Sequence, residues 1–266
     1  MTMVLVQEQH LPGRSVEEKW DAARGYGYDG IELRGAGDLA FAARLRDLRR
    51  AAAAGVPMPT VCVDMGHFIG DFDADRRRDA RAQLRSQLSV IAEIGGRGAM
   101  TPASYGMFSR RLPPFEPPRS AAEDRTILVD ALGELGQHAE AEGVKLFLEP
   151  LNRYEDHLVN RLVDGVSLLE EVGLDSVKLG ADTYHLNIEE ADPAAALVQA
   201  GPWIGHIQVS DSNRLEPGAG HTDWPLICAA LLAIGYDGPL ALESRLSGPA
   251  GDVLPRVPAL LRRYLR

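Results

Sequence analysis

Eight short runs of aliphatic and β-branched residues, each followed by a stretch of helical character, constrain the fold of this chain most. They lie at residues 3–7, 30–33, 60–64, 98–101, 144–149, 177–182, 204–210 and 239–243. Strand–helix alternation predicts a parallel sheet, because neighbouring parallel strands must be joined by crossover connections. Eight such units in 266 residues fit a closed (β/α)8 TIM barrel better than an open doubly wound sheet. We therefore expect one barrel domain over residues 1–266.

Capping signals support this division into units. Ser15 and Ser120 each precede a helical stretch and are followed three residues later by a glutamate, the capping-box pattern. Glycine, which adopts the left-handed conformation that ends many helices, is expected at five helix C-termini: Gly55, Gly95, Gly143, Gly173 and Gly235.

Composition and missing motifs exclude several classes of function. The net charge of −10 argues against a nucleic-acid partner, since phosphate neutralisation needs a basic face. The chain contains neither GxGxxG after its first strand nor GxxxxGK[ST], so nucleotide-binding functions are disfavoured. No apolar run is long enough to predict a membrane span. Cys62 and Cys228 lie far apart, which favours reduced thiols and a cytoplasmic protein without a signal peptide.

The last four predicted strands each end in a side chain with an oxygen donor. These are Glu149, Asp182, Gln208 and Glu243. In a (β/α)8 barrel the carboxyl ends of the strands meet at one mouth, where catalytic groups lie. Three carboxylates gathered there repel one another unless a cation neutralises them. An all-oxygen set favours Mg²⁺ or Mn²⁺ over Zn²⁺.

Three segments, "LEPLNRYEDH", "ADTYHLNIEE" and "VSDSNRLEPGAGHTDW", resemble the xylose isomerase-like barrels of the sugar isomerase/epimerase superfamily, and most of all the D-tagatose 3-epimerase type. The resemblance implies that Glu149, Asp182, Gln208 and Glu243 hold a divalent metal. It also implies that Glu149 and Glu243 act as acid and base, and that Glu155, His185 and Arg214 bind a small carbohydrate. Relatives of this kind are often homodimers or homotetramers, so we expect one of these states.

Position 208 departs from the epimerase pattern, which has histidine there. Gln208 resembles instead the glutamine ligand in the "HIQ" of hydroxypyruvate isomerases, so we expect it to bind the metal. His206 points to the same face of its strand as Gln208 but lies two residues deeper, about 6–7 Å away. We expect it to be a buried, hydrogen-bonded histidine.

Several functions use this apparatus. The primary hypothesis is an isomerase or epimerase that converts a small ketose or hydroxy-ketone through an enediolate. A hydroxypyruvate isomerase-like enzyme is an alternative, with Arg34, Arg153 and Arg214 as candidate carboxylate-binding groups. A cyclic polyol dehydratase and a non-catalytic sugar-binding barrel also remain open. DNA-repair endonucleases of the same superfamily are disfavoured by the acidic charge and by only seven histidines.

Overall fold

The computed structural model describes residues 2–107 and 116–265. Eight parallel strands form a closed barrel in chain order, which confirms the predicted (β/α)8 architecture. The strands are β1 Val4–Gln7, β2 Gly30–Ala36, β3 Thr60–Asp64, β4 Gly98–Pro102, β5 Lys145–Glu149, β6 Val177–Asp182, β7 Ile204–Val209 and β8 Leu240–Leu242.

Helices surround the barrel and connect consecutive strands. Two 3₁₀ helices span Glu8–His10 and Gly201–Trp203. The α-helices of the described residues are α1 Val16–Gly25, α2 Ala40–Ala43, α3 Leu45–Ala53, α4 Ala74–Glu93, α5 Ala121–Glu142, α6 Leu162–Val172, α7 Thr183–Glu189, α8 Pro193–Ala200, α9 Trp224–Ala233, α10 Ala250–Val253 and α11 Arg256–Tyr264.

The predicted helix boundaries are present. The Ser15 side chain caps α1 by accepting a hydrogen bond from the backbone of Glu18, and Ser120 forms a complete capping box with Glu123 at α5. All five predicted C-terminal glycines have φ between 65° and 82°, where a Cβ atom would cause strain. The basic cluster of residues 73–85 belongs mostly to α4, on the outside of the barrel.

Several strand boundaries differ from the prediction by one residue, and β2 and β8 differ most. β2 continues beyond the apolar run to Ala36, because its ladder with β3 extends to the pair Ala36–Asp64. β8 begins one residue later than predicted, at Leu240, because Pro239 has no N–H to donate to a ladder. It ends at Leu242, so Glu243 lies just beyond the strand, where its backbone N–H donates to Val209 O at 3.2 Å.

Strand register determines which polar groups share a level of the barrel. Asp182 of β6 is paired with Gln208 of β7, and Gly180 is paired with His206. Gln7 of β1 and Thr60 of β3 both pair with Glu32 of β2. Polar side chains therefore occupy two successive levels, one at the mouth and one below it. No helix in the described part of the chain is both long and apolar enough to cross a bilayer.

Candidate active site

A cavity of about 530 Å³ opens at the carboxyl ends of the strands. Asp182 and Gln208 are fully buried and lie outside its lining. The other predicted site residues all line it: Glu149, Glu155, His185, Arg214 and Glu243. The structure therefore brings the catalytic and substrate-binding candidates to one cavity, with two of the four metal-ligand candidates buried behind its surface.

Glu149 and Glu243 approach this cavity from β5 and from the end of β8. Burial, followed by repulsion from Glu243 and Asp182, raises the pKa of Glu149 well above its ordinary value. Burial also raises the pKa of Glu243 to about 8, although the attraction of Arg214 opposes the shift. Both side chains thus hold protons more tightly than ordinary glutamates, as expected for carboxylates crowded in a poorly hydrated site.

Asp182 ends β6 and also caps the short helix α7, where its Oδ1 accepts a hydrogen bond of 2.7 Å from Tyr184 N. Ser210 Oγ reaches the same oxygen at 3.3 Å, and Arg214 forms an ion pair with Oδ2. Burial raises the pKa of Asp182, but attraction from Arg214 and these hydrogen bonds outweigh it, so the pKa lies below its ordinary value. Asp182 is therefore a fixed negative charge.

Arg214 connects two of the carboxylates. Its Nη1 contacts Asp182 and its Nη2 lies 3.1 Å from Glu243 Oε2, while the guanidinium packs over the Tyr184 ring at 4.9 Å from the centroid. The backbone of Arg214 has a φ of 61°, a left-handed conformation that costs a non-glycine residue roughly 1–2 kcal/mol. This strain is maintained by the loop that follows β7, and strained residues of this kind cluster at functional sites.

Asp211, which the sequence analysis did not identify, organises that loop. Its Oδ1 accepts hydrogen bonds from the backbone of Ser212 and Thr222 at 2.8 and 3.0 Å, and its Oδ2 accepts from Gly218 N and Trp224 Nε1 at 2.7 and 3.0 Å. Although burial opposes the shift, these four donors lower the pKa of Asp211 to about 2. The side chain is fully buried. The polar residues of the segment "SDSNR" are typical of a turn, but only the folded loop shows which residue is central to it.

His185 has a defined tautomer because Asn152 hydrogen-bonds to one of its two ring nitrogens. The backbone N of Asn152 donates to His185 Nδ1 at 3.1 Å, and Asn152 Nδ2 lies 2.8 Å from the same atom. Burial lowers the pKa of His185, so the ring is neutral and carries its proton on Nε2. That N–H faces Glu149 Oε1 at 3.6 Å and Glu155 Oε2 at 4.0 Å. Asn152, fully buried, is a second residue that sequence reasoning missed.

Glu149, Asp182 and His185 form a cluster in which one ligand atom of each lies within 4.8 Å of the others. Since His185 Nδ1 accepts from Asn152 and Nε2 carries a proton, the carboxylates are the better metal ligands of the three. Gln208 lies on the level of Asp182. Its Nε2 donates to Glu32 at 2.9 Å, whereas its Oε1, buried as well, has no hydrogen-bond partner in the described structure.

Glu32 occupies the level below the mouth and is completely buried. His206 Nε2 lies 2.7 Å from its Oε1, and its other partners are Gln7, Thr60 and Gln208. Burial raises the pKa of Glu32, but attraction to His206 and these hydrogen bonds outweigh it and lower the pKa. The expectation that His206 is a buried, hydrogen-bonded histidine is confirmed, although its partner was not predicted. A charged residue within the apolar strand "GIEL" was the available signal.

A second cavity of about 180 Å³ adjoins the first on the side of β1, β2 and β3. The two cavities share Cys62, Val63, Asp64 and Glu243, and the smaller one adds Gln7, Gln9, Leu33 and Arg34. Burial and then the carboxylates of Glu243, Glu32 and Glu149 raise the pKa of Cys62 well above its ordinary value, so it presents a neutral thiol. Arg34 pairs with Asp64 at 2.6 Å in this cavity.

Known proteins resemble this chain over nearly its whole length. The profile of the xylose isomerase-like TIM barrel family matches residues 20–264. The 3-dehydro-D-guloside 4-epimerase of Escherichia coli K12 is 36% identical over 241 residues, covering 90% of this chain and 91% of the relative. The L-ribulose 3-epimerase of Mesorhizobium japonicum is 32% identical over 229 residues, covering 84% of this chain and 71% of the relative.

Among solved structures, the apo form of 3-keto-D-glucoside 4-epimerase from E. coli superposes with a TM-score of 0.92 at 34% identity, covering 99% of this chain and 100% of the other. The family profile agrees with the closed barrel of the structure. The chain therefore belongs to the xylose isomerase-like TIM barrel family, within the sugar isomerase/epimerase superfamily.

Proposed function

We propose that the protein is a divalent-metal-dependent epimerase or isomerase of a small keto sugar, with Glu149 and Glu243 as its acid/base pair. The observation that carries this proposal is the pair itself. Two glutamates with raised pKa values reach one cavity from β5 and β8. Proton-transfer catalysis is most effective when the pKa of the transferring group lies near the working pH. The two relatives, a 3-dehydro-D-guloside 4-epimerase and an L-ribulose 3-epimerase, support this class of reaction.

The residues present fit a divalent metal. Glu149, Asp182 and Glu243 carry up to three negative charges, and Arg214 supplies one compensating charge. The buried Oε1 of Gln208 has a lone pair with no partner in the described residues, which is unfavourable unless a donor or cation satisfies it. These four side chains would hold the ion, and their hard oxygens favour Mn²⁺ or Mg²⁺. When bound, such an ion supplies Lewis-acid stabilisation of charge developing on the substrate oxygens.

The protein side chains divide the remaining work. One glutamate removes the proton from the carbon next to the carbonyl, which leads to an enediolate, and the other returns a proton. Return to the opposite face of the same carbon epimerises the sugar, whereas return to the neighbouring carbon isomerises it. The Nε2–H of His185 donates a hydrogen bond to a substrate oxygen. Arg214 and Glu155 orient the hydroxyl groups at the two sides of the cavity.

Deuterium exchange tests this proposal directly. We expect NMR in D₂O to detect incorporation at the carbon next to the carbonyl for at least one member of a panel of free ketoses, keto-glycosides and hydroxypyruvate. Exchange stops when a chelator removes the metal and returns with Mn²⁺ or Mg²⁺. Glu149→Gln and Glu243→Gln each abolish exchange while the fold is retained, and Glu140→Gln, on the exposed face of α5, serves as the control.

The same screen separates the alternatives. Exchange confined to hydroxypyruvate favours the hydroxypyruvate isomerase-like function. Arg34 and Arg214 line the two cavities, but Arg153 is paired with Glu189 away from them, which leaves fewer cations for a carboxylate substrate than the sequence indicated. Loss of water from a cyclic polyol identifies a dehydratase. Binding of sugars without any exchange identifies a non-catalytic barrel and contradicts the proposal.

We propose keto-glycosides as a second class of substrate besides free ketoses, because the smaller cavity adjoins the mouth beside Glu243. A free ketose leaves that cavity unused, whereas the substituent of a keto-glycoside has room there. Gln9 is exposed and lines only this cavity. We expect Gln9→Trp to reduce activity on keto-glycosides by at least about tenfold, equivalent to about 1.4 kcal/mol, and to spare free ketoses. Gln9→Ala, which opens the cavity, is the matched control. Equal effects on both substrates contradict this assignment.

We further propose a cytoplasmic homodimer or homotetramer. The two free thiols, Cys62 and Cys228, support a reducing compartment. Size-exclusion chromatography with light scattering measures the oligomeric state, and a monomer would contradict that part of the proposal.

A further inference from the structure

The level of the barrel below the mouth contains one carboxylate with four hydrogen-bond partners. Thr60 Oγ1 and His206 Nε2 contact Glu32 Oε1 at 2.9 and 2.7 Å, whereas Gln7 Nε2 and Gln208 Nε2 contact Oε2 at 3.0 and 2.9 Å. Each oxygen therefore faces two donors. The partners come from β1, β3 and β7, so the carboxylate links three other strands of the barrel.

The two glutamine amides are oriented consistently around Glu32. Gln9 Nε2 donates to Gln7 Oε1 at 2.5 Å, which leaves the NH₂ end of Gln7 for Glu32. A carboxylate oxygen only accepts hydrogen bonds, so the end of Gln208 that faces it must also be the NH₂ group. The Oε1 of Gln208 therefore lies at the far end of the amide, buried and without a partner in the described residues.

An amide ligand needs such an orientation more than a carboxylate does. The two ends of a glutamine side chain have nearly the same shape, but one end accepts while the other only donates. If the amide turned over, it would present N–H groups to a cation. Both oxygens of a carboxylate can bind a cation, so Glu149, Asp182 and Glu243 require no equivalent constraint.

We infer that Glu32 is a positioning residue that fixes the Gln208 amide with its oxygen free for the metal. The inference rests on the proposed metal site. It assigns a function to a buried carboxylate that the proton-transfer reaction does not use. Outer groups that orient metal ligands contribute about 10- to 100-fold to metal affinity or activity.

A double-mutant cycle on metal binding tests this inference. Mn²⁺ affinity is measured by calorimetric titration of chelator-treated protein, with unfolding followed in parallel. Glu32→Gln preserves shape but presents an amide that can donate to Gln208 Oε1, so we expect Mn²⁺ affinity to fall about 10- to 100-fold. In the Gln208→Ala background the same change has little further effect, because the side chain that it orients is gone.

Two further variants make the cycle decisive. Thr60→Val removes one donor from Oε1 and leaves the contact between Glu32 Oε2 and Gln208, so we expect lower stability but little change in Mn²⁺ affinity. If Glu32→Gln does not fold, Glu32→Asp keeps the charge and withdraws the acceptor by one methylene, and its loss of affinity must likewise disappear in the Gln208→Ala background.

The outcomes are distinct. Equal losses of Mn²⁺ affinity with and without Gln208 overturn the positioning role and leave the proposed function intact, because Glu32 would then support the barrel as a whole. Wild-type protein that binds no divalent metal overturns both. Non-additive losses with unchanged unfolding of the Gln208→Ala variants support the inference.

Discussion

Replacing Asp211 by asparagine tests whether one buried carboxylate organises the loop after β7. The change keeps the size and shape of the side chain but converts one oxygen into an NH₂ group. Each oxygen of Asp211 accepts two hydrogen bonds, so two N–H donors must then face an NH₂ group, whichever way the amide turns. Leaving a buried donor unsatisfied costs about 1–3 kcal/mol.

The pKa of Asp211 provides a second measure of how much this carboxylate contributes to the free energy of unfolding. It lies at about 2, against an ordinary value of 3.8, and this difference corresponds to about 2 kcal/mol. Together the two approaches predict that Asp211→Asn lowers the free energy of unfolding by about 3 kcal/mol. For a chain of this size the midpoint of thermal unfolding then falls by roughly 6–12 °C.

The effect has a defined pH dependence. Because the folded protein binds the Asp211 proton more weakly than the unfolded chain, the stabilisation is complete above about pH 4 and is lost as the pH falls towards about 2. The gap between wild type and variant is therefore constant between about pH 5 and 7 and narrows below about pH 4. Urea unfolding across this pH range, monitored by tryptophan fluorescence, measures the difference in unfolding free energy between wild type and variant.

Asp223 supplies a matched control in the same loop. Its side chain caps α9 by accepting from Leu226 N at 3.0 Å, and asparagine caps helices about as well as aspartate. Asp223→Asn should therefore cost less than about 0.5 kcal/mol. If Asp211→Asn cost no more than Asp223→Asn, or if its cost did not change with pH, the reasoning about the loop would be refuted.

Three further results are expected. Arg214→Lys lowers kcat/KM by roughly 10- to 100-fold, because a single ammonium cannot reach both Asp182 and Glu243 as the guanidinium does; unchanged steady-state kinetics would contradict the bridging role. Gly220→Ala destabilises the loop in urea unfolding, since its Cβ would lie 2.3 Å from Asp211 Oδ1; a wild-type midpoint would argue against this crowding. Binding of Mn²⁺ releases protons from Glu149 and Glu243, whose pKa values are raised, so metal affinity rises with pH. Calorimetry in buffers of different protonation enthalpy counts the protons, and a count of zero would contradict proton release by these two glutamates.

The sequence predicted the parts of the molecule that depend on local pattern. Strand alternation and glycine at helix ends identified the barrel, and the rule that strand ends meet at one mouth brought Glu149 and Glu243 together. The sequence did not predict the hydrogen-bond partner of His206. That partner, Glu32, is 174 residues away, and only closure of the barrel makes them neighbours. A charge inside an apolar strand indicates a buried polar cluster, but local pattern does not say which strands contribute to it.

The loop after β7 was unpredictable for a different reason. Its polar letters indicate a turn, but Asp211 is central only because the chain returns at Gly218, Thr222 and Trp224 to donate to it. The positive φ of Arg214 is likewise invisible in a residue type that rarely adopts it. Hydrogen bonds of this kind depend on the path of the backbone, which residue periodicity does not encode.

The supply of hydrogen-bond donors separates four carboxylates of the barrel, Glu32, Asp182, Glu149 and Glu243, into two groups. Glu32 has four partners, and Asp182 has Arg214, Ser210 and the backbone of Tyr184; the pKa values of both are lowered. Glu149, by contrast, is approached by His185 only at 3.6 Å, and Glu243 shares the single guanidinium of Arg214; the pKa values of both are raised.

Chemically similar side chains within one barrel thus become either fixed charges or groups that hold a proton more tightly than an ordinary glutamate, and opposed shifts of this kind are typical of acid/base pairs in enzymes. The fixed charges lie on β2 and β6, and the exchangeable protons lie on β5 and at the end of β8. The proposed proton transfer would therefore use the two of these four residues that have the fewest hydrogen-bond donors. A variant that adds a hydrogen-bond donor beside Glu243 would lower its pKa and should slow catalysis without removing the carboxylate.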